Sequence, residues 1–201
     1  MDASPAQMSN TERSKERIMA KSISAARQAM KTSSKALTQS GRLTSTRKVL
    51  AFACTEHLNA ETYRILFYAE PMERVVIVKQ GIHPCVVEDL AKQMAMPKEK
   101  FLGTLGLARA TVERKARENK LLSPDESSKV IGMARLVGQV QAMVEESGDP
   151  TDFDAPAWTA TWLDRPLPAL GGRKPADFMD TAEGQQLVSN LIARMQSGAY
   201  A

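Results

Sequence analysis

The chain has 201 residues, 43% hydrophobic and 25% charged, the proportions of a globular protein large enough for one medium domain or two small ones. No apolar run approaches the ~18 residues of a membrane span. Cys54, Cys85, His57 and His83 include no CxxC and no metal-ligand spacing, which argues against a disulfide framework and against a zinc site. The opening "MDASPAQMSNTERSKER" has no apolar core of a secretory signal, so a reducing cytoplasm is the expected location.

The net charge of +4 is spread unevenly. Residues 1–57 hold ten Lys or Arg against four Asp or Glu, residues 58–144 thirteen against ten, and residues 145–201 four against nine. A basic front and an acidic back imply nucleic acid as a partner of one end and a protein as a partner of the other.

Residues 1–50 are rich in Ser, Thr, Lys, Arg and Ala and hold no aromatic residue. That composition has too few large apolar groups for a core and predicts a disordered or transiently helical basic arm. In "ETYRILFYAEPMERVVIVKQGI" the runs Ile65–Tyr68 and Val75–Val78 suit short strands, while Pro71 followed by Glu73 suits a helix start. Periodicity leaves both open.

From His83 the helical signals sharpen. Pro84 stands at a first helical turn, and Val86, Val87, Leu90, Ala91 and Met94 follow at spacings of three and four. In "PKEKFLGTLGL" Phe101, Leu102 and Leu105 share one side, and Gly106 closes the helix in a left-handed conformation. In "ARATVERKAREN" Val112 and Ala116 are placed toward the core, leaving Arg109, Thr111, Arg114, Lys115 and Arg117 outward. Two short helices joined by a glycine-containing turn are what a helix-turn-helix requires, and arginines suit guanine edges and phosphates.

Ser123, Pro124 and Glu126 form a capping box that opens a long helix, traced by Val130, Met133, Ala134, Val137, Gln141 and Val144. The stretch "SGDPTDFDAPAWTATWLDRPLPALGGRKP" reads as a packed connector carrying both tryptophans, Trp158 and Trp162. Helical turns near Pro175 precede a last helix. There Asp180 and Glu183 form a capping-box pair, and Leu187, Val188, Leu191, Ile192 and Met195 form the buried stripe.

Gly171-Gly172 lacks the pattern of a phosphate cradle and reads as a tight turn. His83 reads as a satisfied loop histidine, and Asp180 beside Asp177 as a cap. No nucleophile finds a base, so neither an enzyme nor a bound cofactor is expected.

Two blocks carry a family resemblance. "FLGTLGLARATVERKARENKLLSPDESSKVIGMARLVGQV" and "WLDRPLPALGGRKPADFMDTAEGQQLVSNLIARMQSGAYA" resemble the Xre/MbcA/ParS antitoxins. The second block is the more specific: a Trp-Leu step, Pro-Leu-Pro-Ala-Leu-Gly-Gly, a Lys-Pro helix start, Asp-Thr-x-x-Gly, and an ending in Gly-x-Tyr/Phe-Ala. The resemblance implies a mainly α protein, with a helix-turn-helix DNA-binding domain and a small α-helical C-terminal toxin-binding domain. The implied division is a basic arm at 1–57, the helix-turn-helix unit at 58–147 and the toxin-binding unit at 148–201.

The implied partners are a cognate RES-domain toxin, of a class that consumes NAD or transfers ADP-ribose from it, and the operon's own operator DNA. The resemblance also implies a homodimer within a hetero-oligomeric complex. Trp162, Arg173, Arg194, Gly198, Tyr200 and Ala201 are then the candidate toxin contacts, with the tail in the toxin's cleft. Arg109, Thr111, Arg114, Lys115 and Arg117 are the candidate DNA contacts, and the long helix from Ser123 and the stretch Tyr63–Val78 the candidate dimer surfaces. A stand-alone helix-turn-helix regulator is the alternative. One departure stands out: family recognition helices often begin at a Ser or Thr cap, in a "GxSRRT" pattern, and here Ala108 holds that position.

Overall fold

Asn59 opens the first helix. Its side-chain oxygen accepts from the Thr62 amide at 2.9 Å, and α1 runs over Ala60–Tyr68. The computed structural model describes residues 58–148 and 150–197. Helix α2 spans Pro71–Gln80; Pro71 sits at its first turn, and the Glu73 carboxylate accepts from the Glu70 amide at 3.2 Å. Both segments left open by periodicity are therefore helical. Pro71 needs no donor at a first turn, and Tyr63 and Leu66, three apart, are buried on one side of α1.

Helices α3 (Cys85–Gln93), α4 (Lys98–Thr104) and α5 (Arg109–Arg117) follow. Val86, Val87, Leu90, Phe101, Leu102 and Leu105 are buried as their spacing predicts. Gly106 has φ +59°, the left-handed closure expected after α4. Helix α5 departs from expectation: Val112 is its one buried residue, and Ala116 is exposed. A nine-residue helix that touches the body at its middle leaves its last turn in solvent.

The 23-residue helix α6 (Pro124–Glu146) is the axis of the molecule. Ser123 Oγ accepts from the Glu126 amide at 3.3 Å, and Glu126 accepts in return from the Ser123 amide at 2.6 Å. Helices α1, α2, α7 and α8 all pack on α6. The approach of α1 is close enough to require a glycine, since a Cβ on Gly138 would sit 2.2 Å from the Tyr63 carbonyl oxygen. Thirteen of the residues of α6 are buried within the chain.

The expected connector contains a helix, α7 (Ala155–Leu163). Asp154 caps it, accepting from the Ala157 amide at 2.9 Å, and Pro156 lies in the first turn. The chain then makes two 3-10 turns, Pro168–Leu170 and Pro175–Phe178. Between them Gly171 and Gly172 take φ +64° and +80°, a tight turn as expected, and the Leu167 amide donates to the Arg173 carbonyl at 3.0 Å.

Helix α8 (Ala182–Ser197) is capped by Thr181, whose hydroxyl accepts from the Gly184 amide at 3.1 Å, rather than by the expected Asp180. Val188, Leu191 and Ile192 are buried, but Leu187 is 41% exposed and Met195 only half-buried. Two glutamines tie α8 to α6: Gln139 Nε2 donates to the Ser189 carbonyl at 3.0 Å, and Gln185 Nε2 to the Lys129 carbonyl at 3.0 Å. Buried residues from α1 through α8 form one continuous cluster. Among the described residues no helix is long and apolar enough to cross a membrane.

Candidate functional site

Helices α4 and α5 meet through the Gly106 turn as a helix-turn-helix does. Ala108, the residue before α5, makes no side-chain cap, so the first-turn amides have no hydroxyl acceptor there. No acidic side chain lies in that turn, which leaves the positive end of the helix unscreened locally. Arg109 is exposed and splits its guanidinium between two carboxylates: Nη1 donates to Glu99, and Nε to Glu113 at 2.7 Å. That hydrogen bond holds the Glu113 carboxyl below its ordinary range.

Arg114 is exposed, with Nη1 3.2 Å from Glu118 Oε2. Arg117 is exposed and near enough to Glu113 to help hold its carboxyl ionised. Thr111 is half-buried. Lys115 is the exception to the outward reading: its ammonium lies 2.5 Å from Glu126 Oε2, with side chains only 15% and 16% exposed. Burial pushes the Glu126 carboxyl up, but Lys115 and the Ser123 amide outweigh it and hold it below its ordinary value. Lys115 thereby fastens α5 to the start of α6. The exposed pairs on α5 are each weak, because solvent screens them, so a competing anion can displace the carboxylates.

The candidate residues at the acidic end fall into three groups. Trp162 is 4% exposed and stacks on Trp158 with ring centroids 6.1 Å apart, which makes it a supporting core residue. Half-buried Trp158 is the partner of that pair with solvent access, and Phe153 lies 6.2 Å from it. Arg173 is exposed, its guanidinium carbon 4.5 Å above the Phe178 ring, a cation–π contact that fixes its direction. Arg194 is exposed on the last turn of α8. Gly198, Tyr200 and Ala201 lie outside the described residues, as does His57.

Asp164, at the end of α7, pairs with Lys100 of α4 and lies 3.7 Å from Lys174 Nζ. It joins the helix-turn-helix to the Gly-Gly loop, a link with no signal in the sequence because its partners lie far apart in the chain. The exposed Leu187 was likewise missed, because helical spacing alone put it in the buried stripe. His83 is satisfied: Nε2 lies 3.0 Å from Asn119 Oδ1, and Nδ1 accepts from the Cys85 amide at 3.2 Å.

Residues 78–135 match the family described as the antitoxin Xre-like helix-turn-helix domain, and residues 141–198 match the antitoxin Xre/MbcA/ParS C-terminal toxin-binding domain. A Prs ADP-ribosylating antitoxin from Sphingobium sp. (strain YBL2) is 43% identical over 139 residues, covering 69% of this chain and 87% of that protein. The chain belongs to the Xre/MbcA/ParS antitoxin family. Two proteins called Antitoxin Xre are more distant members. The one from Yersinia enterocolitica serotype O:8 / biotype 1B is 25% identical over 61% of this chain and 78% of its own length. The one from Photorhabdus laumondii subsp. laumondii is 23% identical over 61% and 77%. The α4–α5 pair thus lies in the family's helix-turn-helix, and α7, the Gly-Gly loop and α8 lie in its toxin-binding domain.

Proposed function

We propose that this antitoxin neutralises a RES-domain toxin, one that consumes NAD or transfers ADP-ribose from it, and represses its own operon through α5. In this reading residues 58–147 work as the DNA-binding unit and 148–201 as the toxin-binding unit, with the basic arm 1–57 adding attraction to phosphate. The antitoxin itself performs no catalysis. The observation that carries the reading is the pairing, in one chain, of an exposed arginine-bearing helix with a toxin-binding domain that extends to residue 198, at the edge of the terminal "GAYA".

The toxin-binding face is proposed to comprise Arg173, Arg194 and the tail residues Gly198, Tyr200 and Ala201, with Trp162 acting from beneath through Trp158. Small residues enter a narrow cleft, and Tyr200 anchors it. Arg109, Thr111, Arg114 and Arg117 are the proposed DNA contacts, with Lys115 bracing the helix from behind. A homodimer would use the exposed apolar side of α2, where Met72, Val75 and Val76 are 72%, 44% and 39% exposed. Deleting Gly198–Ala201 tests the tail: NAD consumption by the toxin in the complex should return, and full retained inhibition would remove the tail from the mechanism. Assaying the antitoxin alone with NAD should show no turnover.

A further inference from the structure

Helices α2, α6 and α8 enclose a groove of about 500 Å³ that neither the DNA contacts nor the toxin contacts proposed above use, and that shares Val75 with the proposed dimer face. Its size falls in the range of small-molecule sites, ~300–1,000 Å³. Phe67, Val75, Val78, Ile131 and Leu136 give it mainly apolar walls. Three cationic side chains, Arg74, Lys79 and Arg135, also line it.

The two arginines are not equivalent. Arg74 donates from Nη1 to the Ala69 carbonyl, and Glu70 and Glu73 lie close enough to offset its charge. Arg135 is half-buried, and its Nε is fully shielded from solvent with no hydrogen-bond acceptor among the described residues. Burial first and then the like charge of Arg74 weaken its hold on its proton. A buried donor without an acceptor is destabilising, more so when charged. The free chain therefore carries one shielded, unpaired N–H of a cationic side chain beside a roofless apolar groove.

We infer that the α2–α6–α8 groove binds a small molecule bearing a carboxylate on an apolar body, with the Arg135 guanidinium as its receptor. A carboxylate accepts from a guanidinium fork in a charge-assisted pair. A ligand with an apolar body suits this groove better than a bare phosphate, because the mainly apolar walls reward buried apolar area, which phosphate does not supply. The groove is built from Pro124–Gln139 of α6, within or next to the helix-turn-helix match, and from Ala182–Ser189 of α8, within the toxin-binding match. A ligand seated there touches both regions at once.

The test uses the full chain and sodium octanoate as probe, read by the backbone amides of Gly132 and Ser189 in proton–nitrogen spectra and by the melting temperature. Octanoate should shift those amides saturably and raise the melting temperature, with octanol binding at least tenfold more weakly. Inorganic phosphate at the same concentration should leave the amides unmoved. Arg135→Met keeps the apolar stem, so it should remove the preference for octanoate over octanol and melt no lower than the parent chain. Equal binding of octanoate and octanol, an equal response to phosphate, or a Met variant that keeps the preference or melts lower would each overturn the assignment. The last of these would make Arg135 a structural residue.

Discussion

Helix α5 and helix α8 make an instructive contrast. Helix α5 has nine residues, one of them buried, and an uncapped start. Helix α8 has sixteen residues, a threonine cap, three fully buried apolar side chains and glutamine ties to α6. An isolated helix as short as α5 is marginal in water, so it is held by its neighbours through Val112 and the Lys115–Glu126 pair. That arrangement leaves its arginines free to exchange a carboxylate for a phosphate. The proposed recognition surface is made of residues the fold does not need, and the packed domain of residues it does.

The largest expected effect tests whether the two regions are separate in stability as they are proposed to be in function. Phe101 is fully buried in α4 and Ile192 in α8, within one apolar cluster. Phe101→Ala should cost about 3–5 kcal/mol and Ile192→Ala about 2–5 kcal/mol. Each should lower a single denaturant transition, because α6 serves both regions. Two transitions, with one variant moving only one of them, would show that the halves fold independently.

A smaller effect sharpens the contrast at α5 itself. Ala108→Ser supplies the missing cap and should stabilise the chain by about 1 kcal/mol, measured by chemical denaturation. No gain would mean that the α5 first-turn amides already have another acceptor.

The smallest effect is the acid dependence of the α5–α6 fastening. The folded Glu126 carboxyl lies below its ordinary value of 4.5. Its contribution is therefore fully present above about pH 4.5 and is lost as the pH falls through the lower folded value. Glu126→Gln should melt below the parent chain at pH 7, and the gap should narrow steadily below about pH 4.5. A gap independent of pH would remove the ion pair from the account.

Much of this architecture was legible in the sequence where local chemistry and packing agree. Ser123-Pro124-Glu126 marks α6, Pro84 marks α3, and Gly106 ends α4. Helices α1 and α2 were ambiguous because their β-branched and aromatic residues favour strands, while the cap at Asn59 and the Glu70–Glu73 box act against that preference. Helix α7 was hidden by its prolines and tryptophans, although Asp154 and Pro156 form a readable start.

The site was less legible. The outward face of α5 follows from spacing, but the carboxylates that meet it do not: Glu99 and Glu126 lie ten and eleven residues from Arg109 and Lys115 and reach them only through the fold. Arg135 is a stronger case, since α6 reads as a buried helix and nothing in its pattern says that its Nε lacks an acceptor among the described residues.

The division of labour is tested most directly on one variant, Arg109→Ala with Arg114→Ala, assayed in parallel for operator binding and for inhibition of the toxin. Both side chains are exposed, so folding should be little affected. Operator affinity should fall and its dependence on salt become shallower, while inhibition of the toxin stays intact. Loss of both activities together, or unchanged operator binding, would contradict a chain in which α5 holds DNA and the acidic end holds the toxin.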